Sequence, residues 1–294
     1  MRCLVFGGTG MLGRAVVAEA RARSWPALGL SREQADIADA ADAADTAGGA
    51  RLASWTESFR PEVVVNCAAF TQVDACEAEP ERASRINGAA VASVAAAAAR
   101  VGARLVHIST DYVFDGLASE PCAEDAPTGP LSVYGKTKLE GERHALAGDG
   151  GLVVRTSWLF GPGGANFVAT MVGLIEAGKL PLRVVSDQHG CPTYAPFLAR
   201  AVLDLAALGT TGIVHYRNRE PASWYAFATE IARLWSGDAA VVPVATAEFP
   251  RPAPRPAYSV LDVTRFENLA GRRVERWVWG LAEYLALMRK GRSR

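Results

Sequence analysis

The run YGKTK holds two side chains that could exchange a proton, Tyr134 and Lys138, four residues apart. On a helix, this spacing places both side chains on one face, one turn apart. The phenol of a free tyrosine has a pKa of about 10, and a nearby ammonium lowers that pKa because it favours the phenolate. The spacing therefore predicts a pair that gives a proton to a carbonyl oxygen or takes one from a hydroxyl. It fits equally well an exposed helix that carries an ordinary tyrosine and lysine.

An apolar segment upstream could place a hydroxyl beside this pair. Leu105 to Thr110 predicts a buried strand that ends in Ser109 and Thr110, and a helix is predicted from Leu131 to Leu146. Ligands of open α/β sheets lie at the carboxyl ends of the strands. The hydroxyl of Thr110 could therefore hydrogen-bond the reacting carbonyl, with Tyr134 on the following helix.

A glycine-rich turn follows the first predicted strand, Arg2 to Phe6, and precedes a helix predicted from Met11 to about Ala22. Gly7 permits a tight turn, Gly10 lets the backbone approach a pyrophosphate at the helix N-terminus, and Gly13 lets helix and strand pack closely. The position directly after a strand favours dinucleotide binding over a merely structural turn. Three features together indicate a nicotinamide-dependent reductase: the polar end of the strand at Thr110, the glycine-rich turn, and the pair of Tyr134 and Lys138.

The residues after the second predicted strand bear on which nicotinamide cofactor binds. Ser31 and Arg32 stand where an NAD enzyme often carries an acid for the ribose 2′-hydroxyl, and they suit a 2′-phosphate better. This favours NADPH over NADH, although a solvated loop arginine is the alternative. We expect the carboxylate of Asp36 to accept from the adenine amino group and Ile37 to lie on the ring.

Strands and helices alternate as far as residue 157, which predicts an α/β, Rossmann-type doubly wound parallel sheet. We expect residues 1–157 to form a dinucleotide-binding domain, with residues 194–216 returning to it. Residues 158–193 and 217–294 should form a smaller α/β substrate-binding lobe at the C-terminal side. Within this scheme we predict one helix over about 79–101, an irregular segment over 243–256 and a last helix from about residue 280. Small residues at the end of the strand over 62–66 leave space for a ligand: Ala68 and Ala69.

Composition narrows the classes of function. The chain has 294 residues, half of them hydrophobic, and a formal net charge of zero, so nothing argues for a nucleic-acid partner. No apolar run reaches the roughly 18 residues of a membrane span. Its five cysteines, an odd number and widely spaced, fit neither a disulfide framework nor a zinc site, so we expect reduced thiols in a cytoplasmic protein. The four histidines form no HExxH-like pair, and no metal is expected.

Six runs along the chain carry a resemblance: GGTGMLG, VVNCAAFTQVDACE, ISTDYVFDG, YGKTKLEGE, RTSWLFGPGGANF and SDQHGCPT. The chain resembles the extended short-chain dehydrogenase/reductases and, within them, the dTDP-4-dehydrorhamnose reductases. The runs keep the family's order from the start of the chain to near its end. ISTDYVFDG with YGKTKLEGE is specific to this subfamily, whereas the glycine-rich turn is not.

The resemblance implies roles for individual residues. Thr110, Tyr134 and Lys138 match the catalytic Thr/Tyr/Lys positions. The positions implied for the cofactor, with those inferred above, are Gly7, Gly10, Met11, Leu12, Ser31, Arg32, Asp36, Ile37, Ala68, Ala69, Phe70, Thr71, Tyr134 and Lys138. Those implied for the sugar nucleotide are Thr71, Val73, Thr110, Asp111, Tyr112, Tyr134, Trp158 and Arg255. For three of these the residue type suits another role as well: Asp111 could hold Tyr112 or a loop, Trp158 could be a core residue, and Arg255 could be an exposed loop arginine.

The activity implied is NAD(P)H-dependent reduction of the 4-keto group of dTDP-4-dehydro-6-deoxy-L-mannose (dTDP-4-dehydrorhamnose) to dTDP-L-rhamnose, with Tyr134 as proton donor. Two alternatives stay open on the same fold. One is a non-catalytic regulatory subunit of the methionine adenosyltransferase type, and the other is a nucleotide-sugar epimerase or dehydratase that retains its cofactor. We expect a monomer or a homodimer. The resemblance also implies that a dimer could be linked by magnesium bound to glutamates, one of them on the first helix, as in some members of the family. Such a dimer is not expected here, because the first helix carries no acid before Glu19.

Overall fold

The strands of the chain are short and apolar. The computed structural model describes residues 1–41, 47–148, 150–237 and 239–292. The strands in these ranges are β1 (Cys3–Phe6), β2 (Ala27–Leu30), β3 (Val63–Asn66), β4 (Arg104–Thr110), β5 (Leu152–Thr156), β6 (Leu159–Phe160), β7 (Leu182–Val185), β8 (His189–Gly190), β9 (Thr193–Tyr194), β10 (Gly212–His215), β11 (Ala222–Ser223) and β12 (Val241–Val244). Six of them form one parallel sheet in the order β10-β5-β4-β3-β1-β2. The order reverses between β1 and β3, and at such a switch point the carboxyl ends of two strands leave a crevice.

Helices cover both faces of this sheet, which is why three of its inner strands, β1, β3 and β5, are buried throughout. The α-helices are α1 (Met11–Ala22), α2 (Ala47–Phe59), α3 (Val73–Ala78), α4 (Pro80–Ala83), α5 (Ala90–Arg100), α6 (Val133–Leu146), α7 (Phe167–Glu176), α8 (Ala195–Ala207), α9 (Trp224–Trp235), α10 (Thr264–Ala270) and α11 (Trp277–Arg292). Alternate residues of β1 point to opposite faces: Cys3 and Val5 join a core with α1 and α8, while Leu4 and Phe6 join a core with α2 and α5. The predicted fold class is confirmed.

A further core lies towards the C-terminal side. Side chains of α7, α9 and α11 surround Phe160 and Tyr194 there, and β7 pairs in parallel with β12 beside them. The strand β10 pairs with β5 in the main sheet. The division into a dinucleotide-binding and a substrate-binding part at the boundaries given above stays a prediction.

Helix α6, which carries Tyr134 and Lys138, is fixed at its start. Ser132 precedes it, and its hydroxyl accepts from the backbone N–H of Gly135 at 3.2 Å, as an N-cap does. A Cβ added at Gly135 would lie 2.2 Å from the carbonyl oxygen of Tyr112, and one at Gly141 would lie 2.1 Å from that of Asn87. Two glycines therefore let α6 lie directly against the segments on either side of it.

Three local predictions differ in detail from the structure. The helix expected over 79–101 is present over 80–100, but its middle, Ser84–Ala89 between α4 and α5, is π-helical. The side-chain amide of Asn87 in that segment binds the backbone of Phe70: its oxygen accepts at 2.8 Å and its nitrogen donates at 3.1 Å. The wider π-helical turn places the Asn87 side chain beside Phe70. The region 243–256 is not wholly irregular, because Pro243 lies in the edge strand β12, where a missing N–H is tolerated. The last helix begins at Trp277, before residue 280.

Candidate active site

The glycine-rich turn has the geometry of a phosphate cradle. Gly7 has a φ of +72°, and a Cβ there would lie 2.7 Å from the backbone nitrogen of Ala68 across the switch point. A Cβ at Gly13 would lie 2.2 Å from the carbonyl oxygen of Gly7. At Gly10 the nearest atom would be 3.3 Å away, and within the described residues no side chain caps α1 there. The first-turn amides of α1 therefore face outward with the positive end of the helix dipole, which fits a pyrophosphate.

The residues proposed for the adenosine end of the cofactor bind one another. The guanidinium of Arg32 donates to the carboxylate of Asp36 at 2.7 Å, and that carboxylate also accepts from the N–H of Ala38 at 3.0 Å. Ser31 exchanges hydrogen bonds with Gln34, at 2.9 and 3.3 Å. Ile37 is buried in the core, so its side chain does not lie open to a ring as predicted. Arg32 is exposed and free to turn towards a phosphate.

Three of the predicted residues meet at the carboxyl end of β4. Thr110 lies beside Tyr134, close enough for its hydroxyl to lower the pKa of the phenol, and the rings of Tyr134 and Tyr112 meet edge to face with centroids 5.8 Å apart. Thr110 is in register with Thr156 of β5, whose buried hydroxyl has no partner among the described residues. The strand end and the helix thus bring a threonine and a tyrosine together, as the sequence predicts.

The predicted effect of Lys138 on Tyr134 is wrong in this structure. Burial raises the pKa of Tyr134 above its usual value, although the hydrogen bond from Thr110 acts in the opposite direction. The amine of Lys138 does not turn to the phenol, because it donates to the carbonyl oxygen of Ile108 at 2.6 Å and lies 3.3 Å from Nε2 of His107. Burial lowers the pKa of Lys138 to about 8. Loss of solvation disfavours the charged form of each group, which raises the pKa of the phenol and lowers that of the amine.

Asp111 lies under the site rather than in it. The carboxylate is 2% exposed and accepts from the hydroxyls of Ser259 at 2.5 Å and Thr110 at 3.0 Å. Burial raises the pKa of Asp111 to about 7, although these hydrogen bonds lower it. The contacts suit a residue that holds the Tyr112 turn and the segment of Ser259, which was one of its two predicted roles.

Arg255 and Trp158 also have protein partners. The guanidinium of Arg255 donates to the carboxylate of Asp74 on α3 at 2.9 Å and to the carbonyl oxygen of Ala253 at 2.7 Å. The indole of Trp158 stacks on Trp224, with centroids 3.6 Å apart and planes within 8°. A diphosphate would have to compete with Asp74 for Arg255, and Trp224 covers one face of Trp158.

The remaining predicted positions differ in burial and in their place in the fold. Ala68 and Ala69 are partly exposed beside Gly7, Thr71 is exposed, and Val73 begins α3. Three other predicted positions lie in the sheet cores or at the start of α1. Leu12 and Phe70 are buried in the two sheet cores, and Met11 contributes its backbone at the start of α1.

A buried ion pair anchors the helix that carries the site. Arg155 of β5 binds both carboxylate oxygens of Glu142 on α6, at 2.9 and 2.7 Å, and both side chains are 2% exposed. The hydroxyl of Ser109, the neighbour of Thr110, donates to the same carboxylate at 2.5 Å. Sequence reasoning missed this group together with His107. The available signal was polar residues inside otherwise apolar strands, such as the histidine in LVHIS.

The described ranges contain neither a cluster of metal-ligand side chains nor a membrane-spanning helix. No three His, Cys, Asp or Glu side chains of these ranges lie together as metal ligands would. No helix within them is both long and apolar enough to cross a bilayer.

The sequence matches, over residues 1–290, a family described as the RmlD substrate binding domain. A dTDP-4-dehydrorhamnose reductase of Streptomyces griseus is 44% identical over 290 residues, which cover 96% of this chain and 92% of the relative. The chain belongs to the dTDP-4-dehydrorhamnose reductase family. A crystal structure of a dTDP-4-dehydrorhamnose reductase from Clostridium acetobutylicum superposes with a TM-score of 0.89 at 40% identity, covering 98% of this chain and all of that one.

A second structure of this family carries a cofactor. It is a dTDP-4-dehydrorhamnose reductase from Bacillus anthracis in complex with NADP, with a TM-score of 0.88 and 33% identity over 97% of this chain and 98% of that one. The resemblance inferred from the six sequence runs is therefore confirmed along almost the whole chain.

Proposed function

We propose that the chain reduces the 4-keto group of dTDP-4-dehydro-6-deoxy-L-mannose (dTDP-4-dehydrorhamnose) to dTDP-L-rhamnose with NADPH as reductant. The observation that carries this is the meeting of Thr110 and Tyr134 at the carboxyl end of β4, in a chain that belongs to the family over residues 1–290. The chain is an NADP-dependent oxidoreductase, like the Bacillus anthracis relative whose structure holds NADP. It acts in the synthesis of a deoxysugar nucleotide.

Tyr134 is the proton donor. Its raised pKa keeps the phenol protonated at neutral pH, as a donor to a ketone oxygen requires. The hydroxyl of Thr110 lies beside it and hydrogen-bonds the same oxygen as negative charge develops there, an interaction stronger in the transition state than before it. Lys138 stabilises the phenolate once it forms and holds the nicotinamide ribose. When bound, the reduced nicotinamide supplies the hydride.

The carboxyl edge of the sheet, from the end of β2 past the switch point between β1 and β3 to the end of β4, would hold the cofactor. The backbone of Gly7, Gly10 and Met11 holds its pyrophosphate at the start of α1, and the exposed Arg32 meets its 2′-phosphate after leaving Asp36. The positions implied by the family for the sugar nucleotide would hold the substrate beside Tyr134: Thr71, Val73, Tyr112, Trp158 and Arg255. Residues 1–157 with 194–216 hold the cofactor, and 158–193 with 217–294 hold the substrate.

Two features of the whole protein belong to the same proposal. Its five cysteines are all free thiols in the structure, four of them buried, and a reducing compartment with an NADPH supply suits them. We place the enzyme in the cytoplasm for this reason. It works as a monomer or a homodimer without a bridging metal.

Oxidation of NADPH in the presence of dTDP-4-dehydro-6-deoxy-L-mannose, with identification of the product, tests this function. Stoichiometric formation of dTDP-L-rhamnose is expected. Turnover of the sugar nucleotide without net NADPH consumption would favour an epimerase or dehydratase instead. No turnover, together with tight binding of a methionine adenosyltransferase, would favour the regulatory subunit.

Substitution Tyr134→Phe tests the proton donor. Loss of the phenolic proton should lower kcat by roughly 10²–10⁴-fold, the usual contribution of a general acid, while the Kd for NADPH stays unchanged. Tyr225→Phe, the same substitution on α9, is the matched control and should leave both quantities unchanged. A Tyr134→Phe variant with near-normal kcat would refute the assignment.

A further inference from the structure

Two tryptophan side chains lie face to face beside the candidate active site. Trp158 comes two residues after the end of β5, and Trp224 is the first residue of α9. Their ring centroids are 3.6 Å apart and their planes lie within 8° of parallel. Both residues are partly exposed at the margin of the C-terminal core, so the pair reaches the surface. The mechanism described above gives no role to Trp224.

The main sheet places Trp158 on the same edge as the catalytic threonine. Thr156, the last residue of β5, is in register with Thr110, the last residue of the neighbouring strand β4. Trp158 therefore follows its strand at the carboxyl edge of the sheet, where the ligands of open α/β sheets lie. A side chain at this place is in reach of a substrate that meets Thr110.

A second connection to the catalytic threonine runs through β8. A Cβ added at Gly190 would lie 2.5 Å from Cε2 of Trp158, so the indole occupies the space that a side chain at 190 would need. The carbonyl oxygen of His189, the preceding residue, accepts from the N–H of Ser259 at 2.8 Å. The hydroxyl of Ser259 in turn donates to Asp111, beside the catalytic threonine. The indole thus contacts a strand that is bonded to the floor of the site.

The backbone of Trp158 has an unusual conformation. Its φ is +44°, in the left-handed region that bulky residues rarely adopt. Such a conformation persists only where the surroundings hold it, and it is typical of functional sites. The N–H of Thr193 donates to the carbonyl oxygen of Trp158 at 3.1 Å, and the hydroxyl of Ser157 donates to that of Cys191 at 2.7 Å. These bonds hold the backbone, and the stack with Trp224 sets the direction of the indole.

Trp224 is itself held in place by the elements around it. The hydroxyl of Ser223 caps α9 by accepting from the N–H of Ala226 at 3.1 Å, which fixes the start of the helix. Ser223 also pairs with His189 across β11 and β8. The ring of Phe167 on α7 packs against Trp224 with centroids 4.7 Å apart. Trp224 therefore offers Trp158 a fixed surface.

We propose that Trp224 is a positioning residue: it holds the indole of Trp158 in one orientation, and the exposed part of that indole packs against the deoxysugar of the nucleotide-sugar substrate. The proposal rests on the function proposed above. The C–H groups of a sugar ring suit an aromatic surface. A side chain that is already fixed before binding loses less rotamer freedom when the ligand arrives. Trp224 thus strengthens the binding of the sugar, and the nucleotide alone gains nothing from it.

Calorimetry with dTDP-L-rhamnose and with dTDP, each added to enzyme loaded with NADP⁺, separates the sugar from the nucleotide. In Trp224→Leu the Kd for dTDP-L-rhamnose should rise by roughly 3- to 10-fold, the size of one aromatic pair, while the Kd for dTDP stays the same. Trp224→Phe keeps a ring at the start of α9 and should restore most of the affinity. In turnover, Trp224→Leu should raise KM and leave kcat nearly unchanged. An unchanged Kd for dTDP-L-rhamnose, or an equal loss for both ligands, would overturn the proposal.

Trp277 provides the matched control for a merely structural role. It is the first residue of α11, as Trp224 is of α9, and it is buried in the same C-terminal core. Trp277→Leu should lower the midpoint of urea unfolding and leave the Kd for dTDP-L-rhamnose unchanged. If Trp277→Leu weakened the binding of dTDP-L-rhamnose as much as Trp224→Leu does, the effect would belong to the core, and the proposal would be wrong.

The unaltered chain gives a further test, because it holds only seven tryptophans. In protein labelled with ¹³C-tryptophan, the ring signals of Trp158 are assigned by their loss in Trp158→Phe. The ring current of Trp224 should shift these signals upfield, and dTDP-L-rhamnose should move them further than dTDP does. Signals at ordinary positions, or equal shifts with both ligands, would contradict the proposal even if Trp224→Leu does not fold. Because these measurements need no turnover, their outcome is separate from that of the reductase assay.

Discussion

The ion pair between Glu142 and Arg155 allows a sharp test of what holds the catalytic helix in place. Substitution Glu142→Gln keeps the shape of the side chain and removes its charge. The guanidinium of Arg155 would then lie 2% exposed with only neutral partners, among them the carbonyl oxygen of Glu124 at 3.3 Å and the imidazole of His215 at 3.4 Å. The carboxylate that also accepts from Ser109 would be gone.

The size of the effect follows from burial. Breaking one side of a buried pair leaves an uncompensated charge and costs about 3–5 kcal/mol, a large part of a total stability of roughly 5–15 kcal/mol. Adding Arg155→Met removes that charge, so the double variant should be more stable than Glu142→Gln alone, since apolar replacements of buried pairs are often neutral. The sign of this difference separates charge desolvation from simple loss of hydrogen bonds.

Urea unfolding followed by circular dichroism measures both variants, with the midpoint expected to fall and the slope m unchanged. Glu230→Gln is the matched control, because Glu230 binds Arg233 with the same bidentate geometry, at 2.7 Å twice, but with side chains 24% and 61% exposed. It should cost less than about 1 kcal/mol. Equal losses at Glu142 and Glu230, or a double variant weaker than the single one, would refute the reasoning.

Three further outcomes are expected. Gly13→Ala places a Cβ 2.2 Å from the carbonyl oxygen of Gly7 and should destabilise the fold in urea by more than about 2 kcal/mol. Gly10→Ala, with 3.3 Å to the same oxygen, should keep the fold and weaken NADPH binding in calorimetry. Burial raises the pKa of Asp111 from 3.8 to about 7, so the folded chain keeps a proton that the unfolded chain releases, and stability falls as pH rises between these values. Asp111→Asn should remove up to about 1.4 kcal/mol per pH unit of that slope.

The parts that sequence predicts well are those set by neighbours along the chain. The turn from β1 into α1 needs glycine at 7 and 13 because backbone atoms approach within the same short segment. Ser223 caps α9 and accepts from Ala226 at 3.1 Å, as its position predicts. Spacing also places Tyr134 and Lys138 on one face of α6 correctly.

Spacing does not tell where a long side chain ends. Lys138 reaches across to β4 and its amine meets His107 there, 31 positions upstream. Arg255 binds Asp74, 181 positions away, and Trp158 is covered by Trp224 at the start of α9. Each of these partners is decided by which segments the sheet and the C-terminal core bring together. A pattern that counts positions along one helix contains no information about them.

Burial, which made the predicted pKa of Tyr134 wrong, also sets the protonation states of Tyr134 and Lys138 in the free enzyme. Free tyrosine and lysine have nearly equal pKa values, about 10 and 10.4, so a solvated pair would sit close to the balance between neutral and charged forms. Burial moves the pKa of the phenol upward and that of Lys138 down to about 8, so at neutral pH the phenol keeps its proton while Lys138 is still mostly an ammonium. A phenolate then forms only if groups that arrive with the ligands stabilise it. The acidity that turnover needs is therefore a property of the loaded site.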